Sequence, residues 1–279
     1  MLRDSLDSKV EITVNDINIK SENLAANISF VDGCFESTDI AENHYDIVYS
    51  SHVIEHILNY DDHVRQVRKI LRKGGKVVIS LPNFELWIGR KYLNAFTQEH
   101  TVYPLKADIC NLFTKNGFEL EASQDYLDHS LFLCFSYTGE VESTGSARCD
   151  VERRIEFLTD YVGYLEKLKE FLRSESEGYN VHIFGANSSC QVILSILGDD
   201  YARKVKNIYD NSPLKQGRYL FGHDLRIENP DNITSLSSND LVLVFVGAFD
   251  DEIERQIRSL NNRVRILSRK DLDISQIQR

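Results

Sequence analysis

The 279-residue sequence has few of the features that mark secreted, membrane-spanning or nucleic-acid-binding proteins. No apolar run approaches the roughly 20 residues that cross a bilayer, and the first residues lack the apolar stretch of a signal peptide. Basic residues are also scarce. There are 32 Lys and Arg against 43 Asp and Glu, a net charge of −11 that repels phosphate backbones and anionic lipids. We therefore expect a cytoplasmic protein that binds neither nucleic acid nor membranes.

The cysteines are few and spread along the chain without a pairing pattern. Their number is odd and no two stand in a C-x-x-C arrangement, so neither a disulfide framework nor a zinc knuckle is indicated. Buried free thiols are the expected state. The cysteines are Cys34, Cys110, Cys134, Cys149 and Cys190.

The first half of the chain alternates strand-like and helix-like segments, which is typical of an α/β domain with a mostly parallel sheet. The last two strand-like segments are dense in apolar residues, as in strands that are buried on both faces. An amphipathic helix lies between them, and we expect it to end with Gly74 at its C-cap. The strand-like segments cover residues 9–16, 28–33, 45–51 and 75–83.

Residues 104–117 predict a further helix, which begins at a proline and ends at a glycine. Strand-like segments follow at 117–126 and 130–139, and their spacing favours an antiparallel hairpin. We therefore expect one domain over residues 1–140, with a parallel sheet that ends in antiparallel strands.

A polar stretch at 138–150 indicates a domain boundary, and a long helix follows it. We interpret residues 141–175 as a linker and a helix that packs between two domains. A dimer-forming coil, and hence a homodimer, is the alternative. The apolar stripe of this helix consists of Val151, Ile155, Leu158, Val162, Leu165, Leu168 and Leu172.

A second alternation of strands and helices over residues 176–279 predicts a smaller Rossmann-like α/β domain. Its segment IFGANSSC follows a strand and precedes a helix, as a dinucleotide fingerprint does, and Asp210 ends the next strand. Of the three fingerprint glycines only Gly185 is present. An NAD-dependent sugar reductase is therefore one functional alternative.

Polar side chains gather where strands of the first domain end, which is the edge of an open α/β sheet that binds ligands. Asp16 ends a strand and can accept two hydrogen bonds from a ribose diol. Ser50 lies at the end of the strand at 45–51, and His52 and His56 follow it. The two histidines are four residues apart, but no third ligand of suitable spacing stands nearby. We therefore expect a hydrogen-bonding role and no metal.

A second polar cluster, QEHTVY, places Glu99, His100 and Tyr103 just before the helix at 104–117. A histidine beside a carboxylate can act as a general base, because an ion-pairing neighbour holds its pKa near the working pH. A solvated loop histidine is the alternative.

Four features of the first half occur together and in register. They are Tyr45 and Asp46 at a strand start, Glu55 and His56 beyond its end, Leu71 to Gly75 after a helix, and Pro82 and Asn83 at a strand end. This combination resembles the fourth strand, following helix and fifth strand of class I S-adenosylmethionine-dependent methyltransferases. The region 179–260 is similar to the C-terminal domain of sugar C-methyltransferases of deoxysugar and surface-polysaccharide pathways.

The resemblance implies a Rossmann-like methyltransferase sheet, S-adenosylmethionine as cofactor, and methyl transfer to a nucleotide-linked sugar or a related small molecule. The catalytic residues that it implies are His100 as base, Glu99, His56 and Tyr103. The cofactor-binding residues that it implies are Asp16, Ile17, Cys34, Phe35, Ser50 and His52. Cys34 stands where the family usually has an aspartate. Arg90 and Lys91 become candidates for contacts with the diphosphate of the acceptor.

One element of the family is not found in this sequence. The family's first strand, central in the sheet, and its glycine-rich loop should precede the strand at 9–16, and residues 1–8 are too few to supply them. That loop lets the backbone approach the methionine part of the cofactor. A non-catalytic or truncated methyltransferase-like binding protein is therefore the other alternative to an active enzyme.

Overall fold

The structure is a computed structural model that describes residues 10–17, 27–97, 99–127, 129–139 and 151–271. The chain divides into two compact units. Unit 1 comprises Met1–Phe84 and Glu99–Cys149, and unit 2 comprises Glu85–Gln98 and Asp150–Arg279. No helix in the described ranges has the length and apolar composition needed to cross a membrane.

Unit 1 is an α/β unit in which a parallel strand pair continues into an antiparallel hairpin. Its strands are β1 (Ile12–Asp16), β2 (Ile28–Asp32), β3 (Tyr45–Ser51), β4 (Leu71–Pro82), β5 (Phe118–Tyr126) and β6 (Ser130–Tyr137). The helices along this stretch are α1 (Tyr60–Ile70), α2 (Phe84–Gly89), which lies almost wholly in unit 2, and α3 (Lys106–Thr114). The sheet order is β3-β4-β6-β5, with β3 parallel to β4 and β6 antiparallel to both of its neighbours. The predicted parallel pairing of β3 with β4 and the predicted antiparallel hairpin of β5 and β6 are confirmed.

β1 and β2 form a separate parallel pair, and this leaves β3 at an edge of the described sheet. The prediction that β3 is buried is therefore wrong. Ile47 and Tyr49 are 62% and 53% exposed, because β4 is the only described strand that pairs with β3. The Tyr45 hydroxyl donates to Thr13 Oγ1 at 3.0 Å and so connects the start of β3 to β1.

The helix α1 is shorter than the sequence suggests. It begins after Asn59, whose side chain accepts from the Asp62 N–H, and it ends at Ile70. Leu71 is extended and pairs with Tyr45, so residues 72–75 form a bulge before the ladder resumes. Gly74 is therefore no C-cap. Its φ of +81° serves the turn inside this bulge, a conformation that glycine adopts without strain.

The helices α1 and α3 pack on the sheet through a common apolar core, which fixes the polar strand ends in place. Val64 and Val67 of α1 are buried against it. Phe113 of α3 stacks on Phe135 of β6 with the ring centroids 4.8 Å apart. Burial of side chains of this size stabilises the fold by about 1.5–3 kcal/mol each.

Unit 2 is a doubly wound α/β unit. Its further elements are α4 (Val151–Glu175), β7 (Asn180–Phe184), α5 (Ser188–Leu197), α6 (Asp199–Ala202), β8 (Val205–Tyr209), β9 (Ile227–Glu228), β10 (Asp240–Val244), α7 (Asp250–Leu260) and β11 (Arg265–Ser268). The strand order is β11-β10-β7-β8-β9 and every pair is parallel. The chain order reverses beside β7, where such folds form a ligand crevice. The predicted second Rossmann-like domain is confirmed.

The long helix α4 is half buried along its length. Leu168 and Leu172 are fully buried, whereas Ile155 and Val162 are 58% and 55% exposed. The segment 85–98 packs on the middle of the helix, where the Tyr161 hydroxyl donates to a backbone carbonyl of that segment at 2.7 Å. These contacts lie within unit 2, so the interpretation of α4 as a helix that packs between two domains and the homodimer alternative both stay predictions.

Candidate functional site

A group of histidines around one glutamate lies at the carboxyl ends of β3 and β4. We call it the histidine cluster, and it consists of His52, Glu55, His56, His100 and His129. His52 leaves β3 with a φ of +51°, a conformation that costs a side-chain-bearing residue energy and is concentrated at functional sites. Its backbone N–H donates to the Ser80 carbonyl of β4 at 2.8 Å, which fixes the start of the following turn.

Glu55 lies at the centre of the cluster, in a short 3₁₀ turn that follows β3. Its side chain is 2% exposed, which is unusual for a carboxylate. His52 Nδ1 lies 3.2 Å from Oε1 and serves as its donor. The other oxygen, Oε2, is buried and has no hydrogen-bond partner among the described residues. Burial and then the Glu55 charge raise the pKa of the neighbouring Tyr60.

Backbone hydrogen bonds bring His100 to the turn that carries Glu55 and His56. The Glu55 carbonyl accepts from the Thr101 N–H at 3.0 Å, and Nδ1 of His56 donates to the Glu99 carbonyl at 2.7 Å. As a result, the rings of His56 and His100 lie 5.1 Å apart in an edge-to-face arrangement. The predicted catalytic residues are therefore near neighbours although 44 positions separate His56 from His100 in the sequence.

The environment of His100 favours its neutral form. Burial is the largest cause that lowers its pKa, and Glu55 opposes this more strongly than Glu99 does. The Tyr103 ring lies 5.8 Å from the His100 ring and 5.0 Å from that of Phe84. The structure thus groups the four predicted catalytic residues, and it adds Glu55 as the carboxylate with the larger influence on His100. Their catalytic roles stay predictions.

Sequence reasoning missed two residues here, His129 of the cluster and Ser130 beside it. Ser130 begins β6, and its Oγ lies 3.0 Å from His52 Nε2 and 2.6 Å from His129 Nδ1. Burial lowers the pKa of His129, whose ring lies 5.2 Å from that of His52. No local pattern marks these residues. Only the antiparallel pairing of β6 with β4 brings them to this edge.

The residues implied for the cofactor divide between two strand ends. Asp16 ends β1 at the same edge where β2 ends, and it is followed by Ile17, which is 70% exposed. Cys34 donates to Glu36 Oε2 at 2.8 Å. The Phe35 ring lies 5.1 Å from the His63 ring and packs against the core of unit 1.

Ser50 and His52 belong to the second strand end, that of β3, and both ring nitrogens of His52 are engaged within the cluster. The position of Asp16 fits a ribose diol, because a carboxylate at this edge accepts both hydroxyls. In the described part of unit 1, no strand leads through a glycine-rich turn into a helix, so the methionine end of a cofactor lacks that cradle there.

Glu36, in the short turn after β2, is held by His63 of α1. His63 Nδ1 lies 2.7 Å from Glu36 Oε1, and this hydrogen bond is the largest cause that lowers the pKa of Glu36 to about 2. A carboxyl group whose pKa falls on folding stabilises the folded state at pH values above its ordinary pKa. This contribution disappears as the pH falls from 4.5 towards 2.

We therefore expect Glu36→Gln to destabilise unit 1 by roughly 2 kcal/mol at pH 6. The difference from the parent chain should shrink as the pH falls below 4.5, because Glu36 of the parent chain becomes protonated between pH 4.5 and about 2. Hydrogen exchange of the α1 peptide at a series of pH values measures this, with the exposed Glu42→Gln as a control. A difference that stays constant down to pH 2 would contradict the assignment.

The crevice of unit 2 has features that weigh against a dinucleotide site. Asp210 is 8% exposed, and its carboxylate accepts from the Ala186 and Ser212 N–H groups and from Lys215 at 2.8–3.0 Å. It is thus engaged internally where a dinucleotide fold needs an acid for the ribose. Gly185 has a φ of +99°, and a Cβ there would lie 2.4 Å from Val246 Cγ1. Internal packing is enough to require this glycine.

The proposed diphosphate contact of Lys91 is not supported by its environment. Lys91 is 7% exposed, and its ammonium group forms an ion pair with Asp160 of α4. The carbonyl of Arg90 accepts from Arg269 at 2.8 Å. This short segment therefore has a structural role within unit 2.

Family models match both halves of the chain. A methyltransferase domain matches residues 4–123, and a C-methyltransferase C-terminal domain matches residues 150–265. The resemblance to class I S-adenosylmethionine-dependent methyltransferases is therefore confirmed, since the first half of the chain matches a methyltransferase domain. More particularly, its second half is of the type that forms the C-terminal domain of C-methyltransferases. No curated protein matches the chain significantly.

Two similar solved structures each cover 45% of this chain. An S-adenosylmethionine-dependent methyltransferase from Mesorhizobium loti is 12% identical with a TM-score of 0.37, over 45% of this chain and 80% of that one. The 1,6-didemethyltoxoflavin-N1-methyltransferase of Burkholderia thailandensis, solved with S-adenosylhomocysteine, is 15% identical with a TM-score of 0.37, over 45% of this chain and 60% of that one. Similarity at this level carries no information about the acceptor.

Proposed function

We propose that the protein transfers a methyl group from S-adenosylmethionine to a nucleotide-linked sugar or a related small molecule, with His100 as the base. The observation that carries the proposal is the packing of His100 against His56 and Tyr103 at the ligand-binding edge of a methyltransferase-family sheet. The match of the second half to a C-methyltransferase C-terminal domain supports carbon as the methylated atom.

The chain's own residues have three tasks in this reaction. When bound, S-adenosylmethionine supplies an electrophilic methyl group on a sulfonium. As the acceptor atom forms its bond to that methyl group and the methyl–sulfur bond breaks, the acceptor's proton passes to a ring nitrogen of His100. Glu55 stabilises the imidazolium that results, because its negative charge favours the protonated form of His100 more strongly than that of Glu99 does. Tyr103 and His56 limit where the acceptor can lie beside the His100 ring.

Asp16 is the residue proposed to hold the cofactor ribose, with Ile17 and Cys34 beside it. The partner is a small molecule in the cytoplasm, and the net charge of −11 supports the absence of nucleic-acid and membrane partners. The exposed apolar half of α4 supports a homodimer, which analytical ultracentrifugation distinguishes from a monomer.

The proposal is tested by S-adenosylmethionine titration in a calorimeter followed by transfer of a labelled methyl group. We expect heat at micromolar cofactor, and label in at least one member of a panel of nucleotide-linked keto sugars and hydroxyl-bearing analogues. Absence of heat would contradict the proposal and favour the non-catalytic alternative. Binding without transfer to any panel member would contradict the acceptor class and leave the cofactor assignment standing.

A further inference from the structure

Three side chains of the histidine cluster have the composition of a metal site. One ligand atom each from Glu55, His56 and His100 lies within 4.8 Å of the others. Two imidazoles and one carboxylate form the protein ligands of many catalytic zinc centres and of the facial triad of non-haem iron. Atoms bound to one Zn²⁺ ion at about 2.0–2.2 Å lie within about 4.4 Å of each other, so small side-chain rotations would close the set.

Hydrogen bonds already orient these ligands as outer-shell partners do in metal proteins. Nδ1 of His56 donates to the Glu99 carbonyl at 2.7 Å, which leaves Nε2 with its lone pair free for an ion. On Glu55, Oε1 accepts from His52, whose other ring nitrogen lies 3.0 Å from Ser130 Oγ. In His56 and in Glu55, one polar atom of the side chain is thus held by a hydrogen bond and the other is left for an ion.

The strongest observation is the remaining oxygen of Glu55. Its Oε2 is buried in a side chain that is 2% exposed, and no described residue forms a hydrogen bond with it. A buried carboxylate oxygen without a partner is costly, typically by about 1–3 kcal/mol or more. A cation bound between Glu55, His56 and His100 would remove that cost.

We propose that Glu55, His56 and His100 bind a divalent transition-metal ion, with Zn²⁺ as the best match to this ligand set. Three protein ligands leave at least one coordination position open for water or an oxygen of a ligand. The binding step needs no other reactant and is independent of methyl transfer.

One consequence depends on the proposed function. The His100 lone pair that binds the ion is the one that would accept the acceptor's proton, so the two uses exclude each other. We therefore expect Zn²⁺ to inhibit methyl transfer and a chelator to restore it, which would make the cluster a metal-sensitive switch on the reaction.

The site is tested by titrating the chelator-treated full chain with Co²⁺, which gives visible d–d absorption in such N/O sites. We expect one equivalent of Co²⁺ to bind and to give the intense absorption bands of a Co²⁺ ion with few ligands. Addition of Zn²⁺ should abolish these bands. The variants Glu55→Gln, His56→Ala and His100→Ala should each weaken Co²⁺ binding by at least about 10- to 100-fold, the loss that removal of even an outer-shell partner causes. His44→Ala and His223→Ala, which lie outside the histidine cluster, are the matched controls and should bind as the parent chain does.

Failure of the parent chain to bind Co²⁺, or unchanged binding by the three variants, would overturn the proposal. Far-UV circular dichroism confirms that each variant is folded, and Glu55→Gln retains the shape of the side chain if an alanine variant does not fold. The readout requires no cofactor or acceptor. If the chain binds Co²⁺ but transfers no methyl group, the metal site is supported and the proposed function is contradicted. If it transfers methyl but does not bind Co²⁺, the proposed function is supported and the metal site is contradicted.

Discussion

Replacement of His100 by alanine is expected to lower kcat for methyl transfer by about 10²- to 10⁴-fold, the usual contribution of a general base. The imidazole is the polar group that packs against both His56 and Tyr103 at the ligand-binding edge of the sheet. Its removal leaves the acceptor's proton with water as the base. The cofactor position proposed at Asp16 lies at the end of β1 and not in the histidine cluster. We therefore expect the affinity for S-adenosylmethionine to stay within about threefold of the parent value.

The measurement is single-turnover transfer of labelled methyl with saturating acceptor, which separates the chemical step from binding. His44→Ala, an exposed histidine of the same unit, is the control and should retain parental turnover. Parental turnover by His100→Ala would rule out the base assignment. Loss of cofactor binding together with turnover would instead indicate a structural role.

A comparison of two carboxylate variants decides which acid supports His100. Sequence reasoning assigns this role to Glu99, whereas in the structure Glu55 has the larger effect on the His100 pKa and the Glu99 carbonyl engages His56. We expect Glu55→Gln to lower kcat by a larger factor than Glu99→Gln in the same single-turnover assay. The opposite order would restore the sequence-based assignment.

Local patterns were sufficient to predict the main elements of unit 1. The strand β1, the helix α3 and the hairpin strands β5 and β6 depend on neighbouring residues, and each lies within the range that the sequence predicts. The predictions that failed depend on distant partners. Gly74 lies in a bulge because Leu71 pairs with Tyr45. The strand β3 is exposed because β4 is the only described strand that pairs with it.

The same distinction applies to the site. His52, Glu55 and His56 are recognisable because they follow one strand, but the absence of a third metal ligand was inferred from spacing along the chain. His100 is the third ligand of the proposed metal site, and hydrogen bonds between two loops bring it there, which no spacing rule detects. His129 and Ser130 reach the cluster only through antiparallel pairing of β6. Sequence reasoning therefore found the strand-end residues and missed the ones that tertiary contacts bring to them.

Replacement of Asp210 by alanine is expected to lower the free energy of unfolding of unit 2 by about 2–5 kcal/mol. The carboxylate is 8% exposed and accepts from two backbone N–H groups, those of Ala186 and Ser212, and from Lys215. Each N–H left without a partner costs about 1–3 kcal/mol. The Lys215 side chain is 44% exposed and regains water, so the broken ion pair adds less than a fully buried one would.

Trp87 makes this prediction directly measurable, because it is the chain's single tryptophan, is 5% exposed and belongs to unit 2. Its fluorescence during urea denaturation therefore follows that unit. Lys215→Met should cost less than Asp210→Ala, since the two N–H bonds remain, and the exposed Asp224→Ala should stay within about 0.5 kcal/mol of the parent chain. An Asp210→Ala midpoint equal to the parental one would show that the carboxylate is not a structural anchor. The nicotinamide hypothesis would then regain its ribose ligand, and NADH titration of the parent chain would become the deciding measurement.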